Sequence, residues 1–190
     1  AFFLVPMTLA HFPGRDPFRI AAWQAPRGMR GWLSDDSSLT ARIRARCGRF
    51  SLTVVRQGKG VVLPDELAAL GLHRHARLWQ REVLLLADGE PVVFARSLVA
   101  ATAIPADWHL LRGLGGRPLA AVLFDDPRVA RSALEAARLD ARDSRWHHAA
   151  RATGRADLPA LWARRSAFRR HGAPLLITEI FLPAIRSLAP

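Results

Sequence analysis

The chain has 190 residues and carries 28 basic against 16 acidic side chains, a formal charge of +12. Half of it is apolar and 23% is charged, which supplies a sizeable core and excludes a disordered or fibrous protein. The single cysteine, Cys47, excludes an internal disulfide and cannot by itself furnish a thiolate metal centre.

The longest uncharged apolar run, Ala1 to Phe12, is too short to span a bilayer and has no basic lead before it. A soluble cytoplasmic protein with no membrane partner is expected. Strong positive charge first suggests nucleic acid. Lys59, however, is the one lysine, and the arginines are spread along an alanine-rich chain rather than gathered in a tail or helix. The expectation is therefore no nucleic-acid partner, with most of the arginines on the solvated surface.

Pro6, Pro13, Pro17 and Pro26 make residues 1–31 an irregular, proline-rich lead-in to a single domain over 32–190. Ser34, Asp35 or Asp36 caps a helix whose apolar positions Leu39, Ile43 and Cys47 recur every four residues, with Gly48 as its stop. From Phe50 the pattern alternates as a strand, up to a turn at Gly58-Lys59-Gly60, and a helical turn over Asp65–Leu70 ends at Gly71. Arg77–Ala87 and Glu90–Ala100 are strand-forming runs joined by Asp88-Gly89, the strongest short hairpin signal. Asp107 caps a short helix carrying Leu110, Leu111 and Leu114, and Pro118–Phe124 forms another. Val129–Leu139 reads as helix on propensity alone, and 141–157 as a polar loop insertion. A last hairpin joins Leu161–Arg169 to Pro174–Pro183 through His171-Gly172. Strands and helices mixed with hairpin connections predict an α+β fold on an antiparallel sheet.

With a regular two-residue turn, Arg81 would face Arg96 across the first hairpin, on a face otherwise made of Trp79, Val83, Leu85, Val92, Phe94 and Leu98. Opposed like charges on an apolar face call for an anion. Two readings stand side by side: exposure at the sheet edge or pairing with structural carboxylates such as Glu82 or Glu135, and a pocket for a small carboxylate ligand. Glu179 is the only charge in the last apolar strand, and it is either a site acid or the partner of Arg164 opposite it. His73 with His75 and His147 with His148 lack the spacing of a shared metal site, and Cys47 reads as core. No phosphate loop, Gly-x-Ser-x-Gly elbow or dinucleotide fingerprint is present.

The series WLSDDSSLTARI, LWQREVLLLADGEPVVFARSLV, LGGRPLAAVLF and LWARRSAFRRHGAPLLITEIFLP, in this order and spacing, resembles the chorismate lyase family over Trp32 to Pro183. The resemblance implies an antiparallel sheet of about six strands with helices on one side and the ligand enclosed under helix-turn flaps. It also implies a strand, not a helix, over Val129–Leu139. It implies a cofactor-free, metal-free lyase converting chorismate to 4-hydroxybenzoate and pyruvate at the start of ubiquinone synthesis, and a monomer is expected. Carried onto this chain, Arg81 of the W-x-R-E block would bind the ring carboxylate, together with the Leu119 backbone N–H. Glu179 of the T-E-x-F-L-P block would stand near the ring hydroxyl, Leu39 would cover the site, and Arg96 would lie near the enolpyruvyl end or an exit path. The runner-up is a non-catalytic effector-binding domain of the same fold.

Overall fold

A computed structural model describes residues 16–119, 123–124 and 126–188. Chain order gives α1 (Arg27–Ser34), α2 (Leu39–Arg44), β1 (Phe50–Lys59), α3 (Pro64–Leu70), β2 (Leu78–Ala87) and β3 (Glu90–Ala100). After 3-10 turns at Ala101–Ala103 and His109–Gly113 come β4 (Val129–Arg131), β5 (Glu135–Leu139), α4 (Ser144–Thr153), β6 (Leu161–Arg170) and β7 (Ala173–Phe181).

One antiparallel sheet organises the chain in the order β1-β2-β3-β7-β6-β4, with β5 also paired to β6. Because β4 and β5 lie along the same strand, seven strands fill six positions. The α+β fold is as expected, but the helices cover both faces. Met29 and Trp32 of α1 and Ile43 of α2 pack with Val83 and Leu85. On the opposite side Leu70 of α3 meets Leu98 and Leu176, and Trp146 of α4 meets Phe94 and Ile180.

Both hairpins close as two-residue turns with left-handed backbone, at Asp88 (φ 51°) and Gly89 (φ 87°), and at His171 (φ 47°) and Gly172 (φ 86°). The first ladder does not stay regular. Ala87 pairs with Glu90 and Leu86 with Pro91, but Leu85 pairs with Val93, so Val92 is an extra residue in β3. Proline has no N–H to give the ladder, and the shift falls directly after it. Arg81 then faces Ser97, while Arg96 faces Glu82. The expected pairing of Arg81 with Arg96 is thus overturned: one inserted residue moves Arg96 to the other face of the sheet.

Other local expectations also change. Residues 27–31 are helical, because Pro26 occupies the cap position of α1, where a missing N–H costs nothing. Ser38, rather than Ser34, Asp35 or Asp36, caps α2, its side chain accepting from Ala41 N at 3.3 Å. Pairing with β2 carries β1 straight through Gly58 and Lys59, where a turn was expected. Asp107 caps no helix; its carbonyl accepts from Arg170 at 2.7 Å. Val129–Arg131 and Glu135–Leu139 are strands, as the family resemblance implied, with pairing to β6 overriding alanine's helix preference. The polar stretch 141–157, expected as a loop, holds α4 between the Asp143 cap and left-handed Gly154 (φ 67°). The helix expected over Pro118–Phe124 falls partly on residues outside those described.

Candidate active site

Strand alternation puts Arg81, Val83 and Leu85 of β2 on the face covered by α1 and α2. Arg164, Ser166 and Phe168 of β6 and Ile177 and Glu179 of β7 share it. These side chains line a cavity roofed by Leu39 and Thr40 of α2 and by Leu119 and Leu123. The wall is mainly apolar, yet it carries three guanidiniums, Arg81, Arg131 and Arg164, against one carboxylate, Glu179. Among the described residues the cavity therefore has a net charge of +2.

Arg81 is 2% exposed and is held by neutral acceptors. Its Nη1 donates to Gln57 Oε1 at 2.8 Å, and its Nη2 to the carbonyls of Gly115 at 2.8 Å and Arg117 at 3.3 Å. A bulge between Val54 and Arg56 brings Gln57 opposite Arg81. No carboxylate of the described residues lies within 4.0 Å of it. Burial pushes its pKa down, so the charged form gains from a bound anion.

Arg164, by contrast, has a carboxylate partner. Its Nε donates to Glu179 Oε2 at 2.5 Å, and its Nη1 to the carbonyls of Trp32 at 2.9 Å and Asp35 at 2.5 Å. The ion pair weighed for Glu179 is thus present, and it lies inside the cavity rather than away from it. Glu179 Oε1 has no hydrogen-bond partner among the described residues and is the acceptor a ligand would meet.

Arg131 was not singled out from the sequence, because its segment reads as helix. On β4 it pairs with Phe168, and its Nε donates to Ser166 Oγ at 3.0 Å. Its Nη1 donates to the Asp36 carbonyl. Burial lowers its pKa, Glu179 opposes that shift, and the Arg164 charge adds to it. The family likeness implied a strand over this segment, and strand alternation within it is the signal that could have found the position.

Leu39, Leu119, Arg81 and Glu179 are thus brought together, and Arg96 is not among the lining residues. On the opposite face Arg96 is 2% exposed and fully engaged. It donates to Glu66 Oε1 at 2.9 Å, Glu82 Oε1 at 2.6 Å and Gln80 Oε1 at 3.0 Å, and also to the Val61 carbonyl. The fork that was expected to meet a substrate is spent on structural acids. Among the described residues no group of three His, Cys, Asp or Glu side chains is arranged to hold a metal, and no helix is long and apolar enough to cross a membrane.

Comparison with known proteins follows the same direction. The family model for chorismate lyase matches residues 20–188. A probable chorismate pyruvate-lyase of Azoarcus sp. is 56% identical over 86% of this chain and 88% of its own. One from Aromatoleum aromaticum is 52% identical over 87% and 90%. Among solved structures, the effector domain of PhnF from Mycobacterium smegmatis shares the fold with a TM-score of 0.53 at 18% identity, over 77% of this chain and 89% of that one.

Proposed function

The chain belongs to the chorismate lyase family, and from that premise we propose that it converts chorismate to 4-hydroxybenzoate and pyruvate, feeding ubiquinone synthesis. The observation that carries this reading is the cavity charge: two guanidiniums without a carboxylate partner among the described residues, on an apolar wall that suits a dianion with a six-membered ring.

The reaction breaks the ether C–O bond at ring C3 and removes the C4 proton. The ring becomes aromatic, and the enolpyruvyl oxygen leaves with the bonding pair to become pyruvate after protonation. Aromatisation supplies the drive, so the protein's task is to hold one reactive conformer and balance charge moving onto the leaving oxygen. Arg81 holds the ring carboxylate, assisted by the Leu119 N–H, while Leu39 excludes water from above. Glu179 accepts the ring hydroxyl at Oε1 while Arg164 fixes its other oxygen. This pairing fixes the carboxylate in place and suits an orienting role.

Mass spectrometry of a chorismate incubation tests the reading. Stoichiometric 4-hydroxybenzoate and pyruvate are expected, with Arg81→Ala losing on the order of 30-fold or more in kcat/KM. Binding without turnover would instead favour the effector-domain reading, which rests on fold likeness alone.

A further inference from the structure

Arg81 accounts for one carboxylate of a dicarboxylic substrate, and Arg96 is not available for the other. We propose that Arg131 is the receptor for the second carboxylate, the one carried away in the three-carbon product, and so sets the preference for a dicarboxylate over a monocarboxylate. This inference rests on the function proposed above and adds a residue to it.

Three observations carry it. First, charge: among the described residues only Arg164 of the three cavity guanidiniums has a carboxylate within salt-bridge distance, so Arg131 and Arg81 supply the net +2. Second, preorganisation: Ser166 Oγ and the Asp36 carbonyl hold Nε and Nη1 without discharging them. The guanidinium also stands 5.1 Å from the Phe168 ring centroid and 5.5 Å from that of Phe124, which restricts its plane. Nη2 has no hydrogen-bond partner among the described residues, which leaves a donor for an anion. Third, topology: Arg81 on β2 and Arg131 on β4 are four ladder steps apart, with β7 and β6 bringing Glu179 and Arg164 between them. A substrate spanning the cavity therefore puts one carboxylate at each wall and its ring hydroxyl above Glu179. Desolvation by the apolar lining makes each charge-assisted contact stronger than it would be in water.

The test compares substrate with product, because 4-hydroxybenzoate lacks the second carboxylate. Steady-state turnover of chorismate and calorimetric binding of 4-hydroxybenzoate are measured for the wild type, Arg131→Gln, Arg131→Lys and Arg81→Gln. The expected result for Arg131→Gln is a loss of about 10- to 100-fold in kcat/KM, carried mainly by KM, with product affinity retained. Arg131→Lys, which keeps the charge, should recover part of the loss, and Arg81→Gln should weaken both substrate and product. Retained product binding also reports an intact site in the two Arg131 variants. Unchanged kcat/KM in Arg131→Gln, or an equal loss of product affinity, would overturn the assignment while leaving the proposed function standing. A wild-type protein that does not turn over chorismate would sink the function itself.

Discussion

Arg164 and Glu179 sit directly opposite each other on β6 and β7, and the guanidinium Nε lies 2.5 Å from one carboxylate oxygen. The pair engages one oxygen of Glu179 and leaves the other without a hydrogen-bond partner among the described residues. Arg164 also ties to the carbonyls of Trp32 and Asp35, so the link runs from the sheet into the end of α1. The carboxylate is thereby fixed to the scaffold that closes over the cavity.

Replacing Glu179 by Gln retains the shape but weakens the bond to Arg164 and presents an amide to the ring hydroxyl. The expected loss is about 2 kcal/mol in transition-state stabilisation, roughly 30-fold in kcat/KM. Steady-state assays read the loss directly. Wild-type kinetics in this variant would remove Glu179 from the site.

Arg96 has a different fate. Its removal by Arg96→Ala leaves Glu66 and Glu82 buried without their cation, at a cost of about 3–5 kcal/mol. Urea denaturation should show this as a fall in midpoint, while the folded protein keeps kcat and KM within a few-fold of wild type. A selective loss of activity at unchanged stability would return Arg96 to a substrate role.

Glu82 gives the fold an acid limit. Burial raises its pKa, but the hydrogen bond and charge of His148 and the charge of Arg96 outweigh that, and the net shift is downward from the ordinary 4.5. A carboxyl lowered on folding contributes stability that is fully present above its unfolded value and is lost as pH falls through its folded one. Wild-type unfolding free energy should therefore drop below about pH 4.5, and Glu82→Gln should flatten that limb. Equal slopes in denaturant titrations from pH 3 to 7 would count against this origin.

The cap of α2 connects stability with the site. Ser38→Ala removes the acceptor for Ala41 N and should cost about 1 kcal/mol. Because Leu39 and Thr40 follow it and line the cavity, KM for chorismate should rise along with the fall in melting temperature. Thermal denaturation combined with steady-state kinetics checks both effects.

A group of buried arginines is neutralised by acids, so the excess positive charge lies mainly on the exposed arginines. Arg96, Arg145, Arg164 and Arg165 are all 3% exposed or less, and each meets one or more carboxylates. Arg145 of α4 reaches Asp65 and Asp143, and Asp65 also takes Arg165, so the helix is fastened to the back of the sheet through shared acids. Most of the described arginines are exposed, as expected, and this paired group is the exception.

Local chemistry alone determined both hairpins, α3 and the placement of Glu179 opposite Arg164. A two-residue turn with left-handed backbone fixes its own geometry, and an unbroken antiparallel ladder carries register along the strand. Arg81 was legible as a charge on an apolar face for the same reason. Tertiary structure decided what depends on distant partners. The extra Val92 turns Arg96 away from Arg81 toward Glu66 and Glu82, and Pro91 was its only local sign. Val129–Arg131 and Glu135–Leu139 became strands because β6 offers unpaired backbone, and that pairing delivers Arg131 to the cavity. The +12 of the chain is a sequence property. Which guanidiniums are left without a carboxylate, and are thereby ready for a ligand, follows from which acids the fold brings within reach of the rest.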